Sequence, residues 1–154
     1  MSRFKKILLS ILVVFIAIQF LQPGRNISGR VLASDISNLV RLSDSVQVIL
    51  KNACYDCHSN NSNYPWYVNI QPVGWLMAKH IRQGKETLNF SEFGNYSSRK
   101  QLSKLAGISN SIKDGTMPLS SYKWMHKNAR LSNDEKTLII NWVQRSKDSL
   151  AAKN

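Results

Sequence analysis

The sequence contains few of the residues that mark several common protein classes. Among its 154 residues there are 2 cysteines, 7 glycines and 4 prolines. The low content of glycine and proline argues against long disordered segments outside the ends. No stretch of useful length alternates apolar and polar residues as a half-buried strand does, and no segment repeats. The sequence therefore predicts one all-α domain with an N-terminal appendage.

Acidic residues are also few, because 9 Asp and Glu face 21 Lys and Arg, which gives a formal net charge of +12. The basic residues are scattered singly, without the runs of about five or six like charges that form binding tails. We therefore expect a solvated basic surface and no nucleic-acid partner. Such a surface could steer docking to a partner protein with an acidic surface. Paired carboxylates and nucleophile–base spacings are missing too, so hydrolytic catalysis has no support.

Residues 54–58 read Cys-Tyr-Asp-Cys-His and contain both cysteines of the chain. C-x-x-C-H is the attachment signature of c-type haem. The two intervening residues let one helical turn present both sulfurs along one porphyrin edge, where Cys54 and Cys57 would add to the vinyl groups. His58 would then bind the iron from the tethered side. The motif predicts covalent haem c and a redox function.

Three other interpretations of this motif are weaker. A disulfide or a thioredoxin-like redox pair belongs in a βαβ unit, but no strand pattern precedes Cys54. A structural zinc site usually takes four ligands. No second Cys/His pair follows at finger spacing, since His80 and His126 stand alone. A chance match is disfavoured because the motif agrees with an export signal.

Residues 1–24 have the features of that signal. Lys5 and Lys6 precede about fifteen mostly apolar residues. This stretch is short for a bilayer span, which takes about 20 residues. No small-x-small pair follows it closely, so we expect an uncleaved signal anchor, that is, an N-terminal membrane helix with the lysines inside and the domain in the periplasm. The alternative is cleavage near Ala33 and release into the periplasm. Export suits the motif because c-type haem is attached outside the bacterial plasma membrane.

The rest of the chain divides into a polar linker, residues 25–42, and a haem-binding domain, residues 43–150. Apolar residues at helical spacing predict about four helices in this domain. The first begins at Ser43 and leads into the motif, the second runs from Pro72 to Gly84, the third begins with a Ser98–Gln101 capping box and ends at Gly115, and the last begins with a Ser132–Glu135 capping box.

The second axial ligand of the iron has two main candidates. Met117 lies in a loop between helices and is followed by Pro118, which stiffens that loop, so we expect the Met117 sulfur to bind the iron opposite His58. His80 is the second choice, because a lone histidine on an apolar helix stripe is more often a packed core residue. Met77 shares that stripe and is expected in the core.

Aromatic residues are dense after the motif and at the start of the next helix. Trp66, Tyr67 and Trp75, together with Tyr64, could wall the haem pocket and exclude water from it. The same rings could equally form ordinary hydrophobic core, because both roles bury the same large apolar area. We include the first three among the expected cofactor contacts.

The order of these features resembles class I c-type cytochromes: a helix, C-x-x-C-H, further helices, a Met-Pro loop and a last helix with a tryptophan. More narrowly, Cys-Tyr-Asp-Cys-His-Ser-Asn, Tyr-Pro-Trp-Tyr, Pro-Val-Gly-Trp-Leu and Met-Pro-Leu-Ser-Ser-Tyr resemble the bacterial haem-binding domain family of small exported proteins. The resemblance covers roughly residues 40–146. It implies a cytochrome c-like helical bundle with haem at Cys54, Cys57 and His58, and the cytochrome pattern implies Met117 as axial ligand.

These observations favour a membrane-anchored monohaem cytochrome that passes single electrons outside the plasma membrane and performs no bond chemistry itself. The alternative is a haem-based gas sensor or a peroxidase-like module. That alternative requires an open distal face and five-coordinate, high-spin iron.

Overall fold

The computed structural model describes residues 2–152, and the regular structure in this range is helical apart from one β-bridge between Ile27 and Asn61. The all-α expectation agrees with this. The described range contains more helices than expected, because two of them are too short for a periodic pattern to reveal. The α-helices are α1 (Arg3–Ile18), α2 (Asp44–Ala53), α3 (Tyr55–His58), α4 (Val73–Thr87), α5 (Ser98–Lys113), α6 (Ser120–Met125) and α7 (Asn133–Ala151). Short 3-10 turns lie at Ile36–Asn38, Trp66–Asn69, Phe90–Asn95 and Lys127–Ala129.

The predicted N-terminal membrane helix is wrong. Helix α1 contains 16 residues, and within residues 2–152 no helix is both long enough and apolar enough to cross a membrane. At 1.5 Å per residue, α1 covers about 24 Å, whereas the hydrocarbon core of a bilayer is about 30 Å thick. The helix ends before Gln19, and the Gln19 side chain forms hydrogen bonds with the domain. The Gln71 backbone N–H donates to Gln19 Oε1 at 2.9 Å, and Gln19 Nε2 donates to the Gln71 carbonyl oxygen at 3.3 Å.

The segment expected to be a linker, residues 25–42, packs against the domain. The Asn26 side-chain amide donates to the Ser59 carbonyl oxygen and to Ser62 Oγ, both at 2.8 Å. Farther along, Ile36 is fully buried. These contacts fasten the segment to the loop that follows the Cys-x-x-Cys-His motif, so the segment supports that loop from outside.

Helix α2 forms as the sequence predicts. The Ser43 hydroxyl accepts a hydrogen bond from the Val46 backbone N–H at 3.4 Å and so caps the first turn. The apolar residues at helical spacing all point inward. The buried residues of the helix are Val46, Ile49, Leu50 and Ala53. Because this stripe anchors the helix in the core, it also fixes the position of the motif that begins at its last turn.

The main core lies between α2, α5 and α7, with α5 packed along α7. Trp142 of α7 is its largest side chain and is 1 % exposed. The other fully buried apolar residues include Leu50, Phe90, Phe93, Leu105 and Ile139. A smaller cluster around Met77 of α4 contains Val68, Ile81 and partly buried tyrosines. The motif therefore lies between the main core and this smaller cluster.

The predicted helix ends are confirmed at the start of α7 and at the end of α5, but not at the start of α5. The Ser132–Glu135 capping box of α7 is confirmed, with both reciprocal hydrogen bonds present. Gly115 follows α5 with a φ of +67°, the left-handed conformation that glycine adopts without strain, as predicted. The capping box predicted for α5 is wrong, because Ser97 is the cap residue. The Gln101 side chain instead donates to two carbonyl oxygens of the preceding segment, at 3.1 and 3.2 Å.

Helix α4 approaches α3 closely at Gly84. This glycine was expected to end the helix, but α4 continues to Thr87. A side-chain carbon at Gly84 would overlap the backbone carbonyl oxygen of Cys57 and would lie 3.1 Å from the Cys57 Cβ atom. Glycine is therefore required here because two backbones meet, and not because the chain turns.

We expect Gly84→Ala to destabilise the protein by roughly 1–3 kcal/mol, because the added methyl group forces α4 away from the motif. Gly107→Ala is the matched control, since Gly107 also lies within a helix but faces open space. Alanine should stabilise that helix by up to about 1 kcal/mol. Urea unfolding of both apoprotein variants tests the difference, and equal midpoints would contradict a close approach at Gly84.

Candidate functional site

The Cys-x-x-Cys-His motif forms a short helical turn at the end of α2. The Cys54 backbone N–H donates to the Leu50 carbonyl oxygen at 2.9 Å, and the His58 N–H donates to the Cys54 carbonyl oxygen at 3.0 Å. The turn is therefore continuous with a helix that is anchored in the core. Both cysteines are free thiols and are partly exposed. One rigid turn thus presents two sulfurs and one imidazole.

The imidazole of His58 is oriented by a backbone acceptor. Its Nδ1 atom lies 3.0 Å from the carbonyl oxygen of Leu88. Because a carbonyl oxygen only accepts, Nδ1 must carry the proton, and Nε2 keeps the lone pair that binds metals. Burial lowers the pKa of His58, which favours the neutral ring that a ligand requires. The edge of the ring also faces Phe90, with 6.2 Å between the ring centroids.

Two neighbouring cavities of about 300 and 170 Å³ adjoin this turn, and we call them together the crevice. Cys54, His58 and Met117 line both of them, and Cys57 lines the smaller one. Helix α5 contributes small side chains to the wall of the larger cavity, at Ser103, Gly107 and Ser111. A larger hollow of about 740 Å³ lies between the start of α2 and the end of α7, but its lining contains no cysteine, histidine or methionine. The sulfur and nitrogen donors therefore meet at the crevice.

Both candidates for the second axial ligand lie at the crevice. Met117 is 37 % exposed and lines both cavities, while the following Pro118 is buried. His80 lines the smaller cavity only. Met77, in contrast, is buried in the cluster between α4 and residues 59–71, which we call the aromatic loop, as the sequence predicts. The structure thus brings Met117 and His80 to the same cavity as His58.

The two thiols are protonated at neutral pH. Burial and the neighbouring Cys57 raise the pKa of Cys54 to about 12. Burial and the neighbouring Asp56 raise the pKa of Cys57 to about 11. Within residues 2–152, no three His, Cys, Asp or Glu side chains gather as a group that could hold a metal ion. Attachment of haem at a C-x-x-C-H motif takes two free thiols and one imidazole nitrogen, and all three side chains line the crevice. The donor set at the crevice therefore fits haem.

The three aromatic residues expected at the cofactor do not line either cavity as the structure places them. Trp66 is 73 % exposed. The Tyr67 hydroxyl lies 3.0 Å from His126 Nε2, and Trp75 Nε1 donates to the Leu21 carbonyl oxygen at 2.7 Å. Their contact with the cofactor stays a prediction, while their visible role is to attach the aromatic loop and α4 to neighbouring segments.

Sequence reasoning missed a second role for the motif, which is performed by Asp56. This side chain is buried and accepts two hydrogen bonds. The Tyr122 hydroxyl donates to Oδ2 at 2.6 Å, and the Asn63 backbone N–H donates to Oδ1 at 2.9 Å. Burial, followed by this hydrogen bond and the Asp56 charge, raises the pKa of Tyr122, so the phenol stays protonated. Asp56 belongs to Cys-Tyr-Asp-Cys-His and Tyr122 to Met-Pro-Leu-Ser-Ser-Tyr. Neither segment by itself indicates that the two side chains meet.

Comparison with known proteins supports the cofactor that this geometry indicates. The sequence matches a family model described as a haem-binding domain over residues 13–145. No curated protein and no solved structure matches the sequence. The matched range includes the motif, His80, Met117 and the core of α7. The chain therefore belongs to the haem-binding domain family.

Proposed function

We propose that this chain is a monohaem c-type cytochrome domain that transfers single electrons and is not an enzyme. One observation carries the proposal: the Leu88 carbonyl oxygen holds His58 Nδ1, which leaves Nε2 free to bind a metal at a crevice lined by both thiols and Met117. Haem bound there would supply an iron centre that changes its oxidation state by one electron. The membership of the haem-binding domain family supports the cofactor.

In this proposal each donor at the crevice has one role. Cys54 and Cys57 would hold the porphyrin by thioether bonds, and His58 Nε2 would bind the iron. Met117 would supply the second protein ligand, because it lines both cavities whereas His80 lines one. A thioether ligand favours the reduced state and so raises the reduction potential. Ala53 of α2 and Ile108 and Ile112 of α5 give the larger cavity an apolar part of its lining, which limits water there and so also tunes that potential.

We propose that the domain works on the outer side of the bacterial plasma membrane. Lys5 and Lys6 precede the apolar residues of α1, which resembles an export segment, and covalent attachment of c-type haem takes place on that side. Two cysteines held as free thiols are also compatible with attachment, because neither is consumed in a disulfide.

Expression together with the haem attachment machinery should yield protein whose mass exceeds that of the polypeptide by one haem. The extra mass should survive denaturation, because the bonds are covalent, and the loaded protein should be recovered from outside the plasma membrane. A variant carrying both Cys54→Ser and Cys57→Ser should lose the added mass under the same conditions. Intact mass spectrometry and a pyridine haemochrome spectrum measure this, and a wild-type mass without the added group would exclude the proposal.

Replacement of Met117 by alanine should remove the sulfur-to-iron absorption band of the ferric protein. It should also lower the reduction potential by a measurable part of the roughly 0.8 V that axial ligands span. Met125→Ala is the matched control, because Met125 is 44 % exposed and lies outside both cavities. It should leave the band and the potential unchanged.

The same experiment decides between the remaining alternatives. If Met117→Ala changes nothing while His80→Ala converts the iron to high spin, the second axial ligand is His80. If the wild-type ferric protein is already high spin, the distal face is open, and a gas-binding or peroxidase-like role replaces electron transfer.

We propose further that the redox partner is a protein with an acidic surface. The chain has a net charge of +12, and opposite surface charges accelerate docking. Stopped-flow oxidation of the reduced protein by an acidic redox protein should therefore slow as ionic strength rises, because salt screens the attraction. Oxidation by a neutral small molecule is the control and should be insensitive to salt. Equal salt responses would count against an acidic partner.

A further inference from the structure

The loop that carries Met117 has few attachments of its own. On its N-terminal side, the backbone N–H groups of Thr116 and Met117 share one acceptor, the Ser111 carbonyl oxygen, at 3.1 and 3.3 Å. On its C-terminal side, the loop leads into α6, which contains six residues. An isolated helix of this length is unstable in water, because forming the first turn costs more than so few hydrogen bonds return. The position of Met117 therefore depends on whatever holds α6.

Helix α6 is joined to the motif by the hydrogen bond from the Tyr122 hydroxyl to Asp56 Oδ2, at 2.6 Å, while its last turn is bonded by Arg130. Asp56 lies between the two cysteines, and its second oxygen is bonded by the Asn63 backbone N–H. The carboxylate thus joins α3, the loop after the motif and α6. Tyr122 also lines the smaller cavity together with Cys57 and Met117.

We propose that Asp56 and Tyr122 are positioning residues that hold the Met117 loop at the crevice and so keep the methionine sulfur within reach of the iron. The inference rests on the proposed function, because it takes Met117 as the axial ligand. The carboxylate belongs to the segment whose two cysteines would hold the haem, so the hydrogen bond ties the Met117 loop to the attachment site of the same cofactor.

The buried setting makes this bond strong. Asp56 is 9 % exposed, and water replaces a lost protein partner poorly at a buried carboxylate. The Tyr122 ring is further fixed by stacking on His126, with 3.9 Å between the ring centroids. When the hydroxyl is removed, the ring keeps this stacking contact but the link to the motif is lost. The Met117 loop should then leave the iron more often.

The test measures how readily an external ligand displaces Met117. Imidazole is titrated into ferric, haem-loaded protein, and the sulfur-to-iron band and the reduction potential are recorded. Tyr122→Phe should raise the affinity for imidazole by about tenfold, the lower end of what a hydrogen bond to a charged group contributes. It should also weaken the band and lower the potential.

Tyr64→Phe is the matched control. Tyr64 belongs to the same cluster as Tyr122, but its hydroxyl accepts a hydrogen bond from the Asn26 backbone N–H at 2.7 Å, and it lines neither cavity of the crevice. Removal of this hydroxyl should change the affinity for imidazole less than about twofold, even if it lowers the thermal stability as much as Tyr122→Phe does. Equal affinities in the two variants would overturn the proposal, because loss of stability alone would then explain the effect.

A second variant covers the case in which Tyr122→Phe yields no haem-loaded protein. An amide at position 56 can accept from the Asn63 N–H and donate to the Tyr122 oxygen, but both bonds are then neutral and weaker, so Asp56→Asn should raise the affinity for imidazole by more than Tyr64→Phe. An affinity equal to that of wild type would overturn the proposal.

The Met117→Ala variant distinguishes an error in the ligand assignment from an error in the positioning role. If it binds imidazole more tightly than wild type while Tyr122→Phe does not, the axial ligand is correct and the positioning role is wrong. If Met117→Ala also behaves as wild type, Met117 is not the ligand, and both the ligand assignment and the positioning role are overturned.

Discussion

The hydrogen bond between His58 Nδ1 and the Leu88 carbonyl oxygen is the interaction on which the site depends. It selects the tautomer of the ring and leaves the other nitrogen unprotonated, so the backbone at the end of α4 determines which atom can meet a metal. Leu88 follows directly after α4. Any shift of α4 relative to the motif would therefore move the acceptor away from the ring, and the packing of this helix becomes part of the chemistry of the site.

Close helix packing and one buried carboxylate together maintain that arrangement. Gly84 allows the backbone of α4 to touch the motif from one side, and Asp56 connects the motif to α6 on the other. The motif turn contains four helical residues and has no core of its own. Neighbouring elements therefore impose its geometry. Asp56, between the two cysteines, has a structural role, whereas the cysteines are the groups that would react with the haem.

The helices with a long apolar stripe could be predicted from sequence, and the sulfur and nitrogen donors named from the sequence lie together at the crevice. Helix α2 and the capped start of α7 are as expected, because their signals are local. Helix α6 was missed, since six residues are stabilised by a distant carboxylate and not by their own pattern. The prediction that Gly84 ends α4 was wrong, because a close approach between two backbones cannot be recognised from the residues next to the glycine. The apolar N-terminal stretch was taken as a membrane helix because composition does not reveal where Gln19 is captured by the domain.

The two hydrogen bonds between Gln19 and the Gln71 backbone attach the end of α1 to the domain. Gln71 has no exposed surface, and its side-chain amide donates to Gln22 Oε1 at 2.9 Å while its backbone exchanges two bonds with Gln19. A processed form that started after Ala33 would leave these buried amide groups without partners and would expose the loop behind the motif. Proteolytic maturation at that point would thus compete with folding, and the order of the two events would decide how much stable domain a cell obtains.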